Sequence, residues 1–525
     1  MRNSLFEMKI KTFSFAFLII FCQAKTQEWF TLIDNLNDPN AFFQDKTIEI
    51  YEFSTPSKLT CIQKCFYFDS SCQYFQHFKD KQICKIYTSI EKSYFHGRRN
   101  IYLREKKLPR IHFLNGLKFC LFLSNELNKT FLIQGSFLDQ HQLVNMSFEL
   151  NIDLASNGIN LIGPFSFKKC LKIENLNLSN NSLKIIYSKS FNGMDNLKNL
   201  NLSFNQISHL ESDVFKDVIL LKNLDLDNNL ISYLDENLLF YAPYLESLNL
   251  GWNIIEYIEQ GAFKSLTKLI RLSLNDNRLK FLDPIFDNLV LLNFLNVYSN
   301  QISTIHNDTF KFLKKVFRVN IYNNQISVIN SETFKGADNL AILTINNNKL
   351  DEIHKNLSIN LPSLKDLTLS SNNLSFLELD FFNRFVNLEI LRLYECVIRE
   401  IDLSSLSKLK FLNLGNNEIS YFSQNLSSLN TLILNSNPLV NLTYPLITSK
   451  NSSLQELDIC RCQLKYIDLN LLTNLTYLKF LKIKANPIFL DDDFFNDFKS
   501  LESVYIDQNN AFRFKNLYSK INFFY

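Results

Sequence analysis

The chain has 525 residues, 46% of them hydrophobic and 20% charged, with a formal net charge of +3. This composition supplies apolar surface for a large core, and with only 10 Gly and 10 Pro it argues against long disordered linkers. So small a net charge also argues against a general nucleic-acid binder, which needs a concentrated basic stripe.

Residues 1–24 read as a secretory signal peptide. Arg2, Lys9 and Lys11 precede an apolar run from Phe13 to Phe21, and Cys22-Gln23-Ala24 offers small residues at a cleavage site. The run is too short to span a bilayer comfortably, and no later stretch supplies about 20 apolar residues, so no membrane span is expected in the chain. The expected product is secreted and extracellular, where disulfides persist.

Residues 25–107 carry no repeat. Cys61 and Cys65 lie one helical turn apart, on one face of a helix. Cys72 and Cys84 sit in Cys-Gln-Tyr-Phe and Ile-Cys-Lys-Ile-Tyr, which read as strands. Four cysteines alone permit three connectivities. From Phe30 to Arg104 this arrangement resembles the PAN/apple family. The resemblance implies a small disulfide-bonded α+β domain, the pairs Cys61–Cys84 and Cys65–Cys72, and a role in binding proteins or glycans. It carries no shared ligand residue onto this sequence.

A basic cluster follows, with Arg98, Arg99, Lys106 and Lys107 at its centre. It is suited to attracting an anionic glycan; the plainer reading is the solvated ends of a strand and a linker. Residues 108–148 read as a connector and N-terminal cap, because an open repeat end exposes apolar faces and strand edges. Cys120 in this segment and Cys170 in the first repeat are candidates for a bridge, if their separation allows one.

Residues 149–512 are one pattern written many times. Leu197, Leu200, Leu202, Asn205 and Ile207 stand at relative positions 1, 4, 6, 9 and 11, and Leu221, Leu224, Leu226, Asn229 and Ile231 repeat them. The ninth position reads Asn157, Asn181, Asn205, Asn229, Asn253, Asn277, Asn300, Asn324, Asn348, Asn372, Cys396, Asn417, Asn437, Cys462, Asn486 and Asn509. That makes about 16 units, shortened between Cys396 and Asn437. Ten residues after the ninth position comes a large apolar residue, such as Phe167, Phe191, Phe215, Phe263, Phe310 or Phe334. The pattern is the leucine-rich-repeat consensus and resembles its extracellular type. The expected class is α/β: a solenoid with a parallel sheet on its concave face and a largely irregular or 3-10 convex side. Residues 513–525 are left as a C-terminal tail.

Within a unit, positions 4 and 6 should face the core, and positions 3, 5 and 7 the solvent. The ninth-position Asn should bond backbone groups in the turn, and Cys396 and Cys462 should be buried thiols. Cys460 is expected at an exposed seventh position. In the middle of the array the exposed columns carry Trp252, Arg271, Phe294, Tyr298, Arg318, Tyr322, Arg392 and Tyr394. Trp, Tyr and Arg dominate protein interfaces, so these residues are the candidate partner-binding patch. Sequons at Asn177 and Asn201 fall in the fifth column, where glycans would steer a ligand toward the middle strands.

No catalytic constellation is present. The seven His residues are scattered, and no His-Glu-x-x-His, phosphate loop or nucleophile elbow occurs. No metal site is expected either: Asp491-Asp492-Asp493 lacks the spacing of a Ca²⁺ loop, and Cys460-Arg-Cys462 would need two more ligands. No cofactor is expected. The reading is a secreted, non-enzymatic protein that binds a protein ligand on the concave face. A receptor or adhesion ectodomain cut before its membrane span, and a matrix protein holding glycans through the basic connector, are the alternatives.

Overall fold

The structure, a computed structural model, describes residues 150–525 apart from Lys169, and before them the backbone of six short strands. From residue 150 onward the repeat dictates everything. Seventeen three-residue strands stand side by side in one parallel sheet, from Asn151–Asp153 to Asn522–Phe524. Their registers are residue for residue, so Asn223, Ser247, Arg271, Phe294 and Arg318 form one row. The strand order can be written as a ring, yet no register joins Asn522–Phe524 to Asn151–Asp153 among the described residues. The sheet is therefore an open ladder.

The middle residue of each strand is buried and its neighbours are not, as alternation requires. Leu200 and Leu202, at positions 4 and 6, are 2% and 0% exposed. One unit alone cannot bury these side chains; stacking supplies their partners. The Phe residues expected on the far side are buried and meet in pairs. Phe167 and Phe191 have ring centroids 6.2 Å apart, and Phe310 and Phe334 are 5.0 Å apart.

The turn after each strand has two fixed residues. The ninth-position Asn bridges neighbouring units: Asn253 Oδ1 accepts from Ile231 N–H at 3.0 Å, and its Nδ2 donates to Leu226 O at 3.0 Å. The eighth position is left-handed in every unit from Ser156 to Ala485, with φ between 48° and 59°. Most residues there are Asn, Ser or Asp, the types that tolerate this conformation best. Cys396 cannot bridge as Asn does. There the Leu374 N–H turns to the Cys396 carbonyl at 2.9 Å, and Val397 takes a second left-handed φ of 58°.

The far side is more ordered than the expected irregular chain. Two-residue parallel strands recur after the turn, as in Tyr233–Leu234 with Tyr257–Ile258. 3-10 turns occur at Leu357–Asn360 and Phe381–Arg384. Helix is sparse among the described residues, so the solenoid is a β structure rather than the α/β class expected.

The C-terminal end also differs from expectation. Residues 513–525 are no loose tail: the helix Gln508–Leu517 leads into the final strand, Asn522–Phe524. Asn509 lies in that helix, so the last unit has no bridging Asn; Asp507 accepts the Ala485 N–H instead, at 3.2 Å. Phe514 and Phe523 are buried against Phe495, at centroid distances of 5.0 and 5.4 Å from it, and close the core with aromatic packing. At the other end, Phe137–Leu138 of the connector pairs in parallel with Leu161–Ile162 of the first unit.

Further upstream, Glu49–Ser54, Cys72–Phe78 and Ile83–Thr88 form an antiparallel sheet with Ile83–Thr88 in the middle. Both strands read from the cysteine-bearing segments are thus present. Cys61, Cys65 and Cys120 lie outside the described residues, as do Arg98, Arg99, Lys106 and Lys107. Of the expected signal peptide only Leu18–Gln23 is described, paired with Glu28–Ile33.

Candidate binding surface

The strand rows give the concave face its columns, and each column has its own chemistry. In the third column Asn175, Asn199 and Asn223 each donate from Nδ2 to the Oδ1 of the preceding unit, starting from Asn151. In the fifth column Asn201 Oδ1 accepts from the Ser203 N–H at 2.9 Å and from the Ser203 hydroxyl at 2.7 Å. The early part of the face is therefore an amide pavement whose hydrogen bonds run largely within itself.

The character changes at the strand Arg271–Ser273. Arg271 lays its guanidinium over the Phe294 ring, 5.3 Å from the centroid, and Arg318 follows in the same row. Tyr298 and Tyr322, in the seventh column, stack with centroids 4.4 Å apart and planes only 6° apart. Burial, with help from Tyr322 and Asp276, pushes the Tyr298 phenol up to about 12. Trp252 sits on the neighbouring turn at the left-handed eighth position, with φ 48° and 57% of its surface exposed. A bulky aromatic at such a φ is strained, whereas the other units mostly place small polar residues there.

Six of the eight residues expected in the patch thus share one neighbourhood. The other two stand apart, three strands beyond Arg318–Asn320. Arg392 is committed to its own sheet: it pairs with Asp366 at 2.6 Å and lies over the Phe411 ring at 5.1 Å. Tyr394 is 39% exposed and follows it.

The patch as read from the sequence left out three carboxylates beside it: Asp225 in the fifth column, Asp227 in the seventh and Asp276 in the eighth. Burial, reinforced by Asp227, outweighs the hydrogen bonds to Asp225 and pushes its carboxyl above the usual range. The available signal was the substitution of Asp for the Asn or Ser common in those columns.

The cysteines of the array are free thiols. Cys396 and Cys462 are fully buried, and burial pushes both up to about 12. Cys460 is half-buried rather than exposed and is also pushed up to about 12, first by burial and then by Asp458. Cys170 is buried, and its expected partner Cys120 is not among the described residues.

The array matches the family model described as the BspA-type leucine-rich-repeat region, in six copies over residues 160–293, 234–357 and 285–410. The sequence matches no curated protein. Among solved structures, it is similar to a leucine-rich-repeat protein of Leptospira interrogans, at 22% identity and a TM-score of 0.62. That match covers 73% of this chain and 98% of the other. It is also similar to the glycosylated Toll–Spätzle complex of Drosophila, at 19% identity and a TM-score of 0.51, covering 62% of this chain and 51% of that one. Both likenesses concern the fold. The chain carries BspA-type leucine-rich repeats and folds as a leucine-rich-repeat solenoid.

Proposed function

We propose that the chain is a secreted, non-enzymatic protein that binds a protein ligand on the concave sheet. The binding region is centred on the strands from Ser247–Asn249 to Arg318–Asn320 and on the turn bearing Trp252. The observation that carries this reading is the concentration of Trp252, Arg271, Phe294, Tyr298, Arg318 and Tyr322 on a surface already fixed by sheet registers. A preformed surface loses little freedom on binding, so its contacts convert to affinity efficiently. Secretion rests on the signal-like segment before Lys25. The cysteine-bearing sheet fits a PAN/apple-like module with the pairs Cys61–Cys84 and Cys65–Cys72. Arg98, Arg99, Lys106 and Lys107 in the basic connector are the glycan contacts of the alternative reading, a matrix protein.

The test is a screen of the full chain against a panel of secreted and cell-surface proteins. Each hit is measured again with Trp252→Ala and Tyr298→Ala. Central anchors cost about 2 kcal/mol or more when truncated, so binding should weaken at least about 30-fold. Hits whose affinity both variants leave unchanged would refute the assignment.

A further inference from the structure

Some acidic side chains that line this sheet meet a cation from an adjoining unit. Asp366 meets Arg392 at 2.6 Å, Glu456 meets Lys482 at 2.6 Å, and Glu246 meets Lys222 at 2.7 Å. Asp225, Asp227 and Asp276 are among those that do not. Among the described residues they have amide partners but no ion pair: Asp227 accepts from Asn228 Nδ2 at 2.5 Å, Asp276 from Asn275 Nδ2 at 2.9 Å, and Asp225 from the Asp227 N–H at 3.1 Å. Gly251 stands between the Asp227 and Asn275 units, whose side chains close over it. A Cβ there would lie 2.7 Å from Asp227 Oδ1 and 3.0 Å from the Asn275 amide. Aromatic residues stand near these carboxylates: the stacked Tyr298–Tyr322 pair, whose Tyr298 feels the charges of Asp276 and Asp227, and the exposed Trp252, next to Gly251 in the chain. Of the cations of this region, Arg271 and Arg318 lie in the third column, away from the turn, and Arg278 is paired with Glu256 at 3.6 Å.

From this geometry we infer that the turn-side half of the concave surface receives a lysine or arginine side chain from the protein partner. This rests on the reading of the sheet as the binding face. In this region the surface has a charge polarity, with Arg271 and Arg318 in the third column and Asp227 and Asp276 in the seventh and eighth. Carboxylates without a cation, beside ring faces that themselves attract cations, make the complementary charge the partner's to supply. An acidic segment would meet repulsion at Asp227 and Asp276, so the same arrangement sets specificity as well as attraction.

The experiment selects random dodecapeptides displayed on phage against the immobilised full chain. Enriched peptides are synthesised and their affinities measured. The inference expects them to carry Lys or Arg. Affinity should fall about tenfold or more with Asp227→Asn plus Asp276→Asn, and by a similar factor when the peptide lysine becomes glutamine; the two losses should not add. The Asn replacements keep size and hydrogen-bond capacity, and circular dichroism checks the fold. Peptides that are weakened by Tyr298→Ala but lack basic residues, or that ignore the Asp variants, overturn the cationic partner and leave the concave binding face standing. Peptides indifferent to Tyr298→Ala and Trp252→Ala overturn the binding face itself. A library with no binder above an inert protein counts against both.

Discussion

Replacing Asn229 with alanine tests the turn ladder that holds the array together. Asn229 is 5% exposed. Its Oδ1 accepts from Ile207 N–H at 2.9 Å, and its Nδ2 donates to Leu202 O and Leu226 O at 3.0 Å and to Asp227 O at 3.2 Å. The carbonyls keep other donors: Leu202 O has Asn205 Nδ2, Leu226 O has Asn253 Nδ2, and Asp227 O has the Phe204 N–H. Alanine therefore strands one buried group, the Ile207 N–H. Leaving such a group unsatisfied costs about 1–3 kcal/mol, and the small void left by the amide raises the total to about 2–4 kcal/mol. Urea denaturation followed by far-ultraviolet circular dichroism should show that loss. Asn223→Ala is the control, because Asn223 is exposed in the third column and its loss should stay within about 0.5 kcal/mol. If the two variants unfold at the same urea concentration, the ladder does not hold the turns as described.

Phe263→Ala removes a ring that is 1% exposed in the far-side stack, and should cost about 3–5 kcal/mol in the same assay. Gly193→Ala places a Cβ 2.6 Å from the Lys168 Cα at a φ of +90°, so it should destabilise by about 2 kcal/mol or more. Trp252→Asn relieves the strain of a bulky residue at φ 48° and should raise stability by about 0.5–1 kcal/mol while weakening partner binding. Tyr298 sets a pH dependence. Its folded pKa of about 12 lies above the usual 10, so between those values the folded chain keeps a proton that the unfolded chain sheds. Stability from this group is whole below pH 10 and falls as pH rises toward 12; Tyr298→Phe should flatten that part of the curve.

The architecture was legible because one physical requirement, shielding leucines by stacking, repeats through the chain. Positions 4 and 6, the Asn bridge and the Phe stack all follow from a period that sequence alone displays. Features with no period were harder to see. The left-handed eighth position is written only as a bias toward Asn, Ser and Asp, and Trp252 and Phe204 hide it. The helix Gln508–Leu517 begins inside a segment that still spells the repeat. There Ala511 and Phe514, three residues apart, suit a buried helix face. The two-residue strands of the far side are too short to leave an alternation in the sequence.

The patch was half legible. Aromatic and Arg residues stand out in columns otherwise filled with small amides. Which of them are already engaged depends on side-chain geometry: Arg392 is held by Asp366, while Trp252 projects into solvent. Asp225, Asp227 and Asp276 passed as ordinary polar positions, because the absence of a neighbouring cation is a property of space, not of spacing.

Hydroxyl-radical footprinting of the full chain, free and bound to a partner from the screen, tests the central claim most directly. Oxidation of Trp252, Phe294, Tyr298 and Tyr322 should drop on binding, while that of Tyr257 and Phe281, exposed on the far-side strands, should not change. Protection confined to Tyr257 and Phe281, with Trp252 and Tyr298 oxidised as before, would place the partner off the concave sheet and contradict the account.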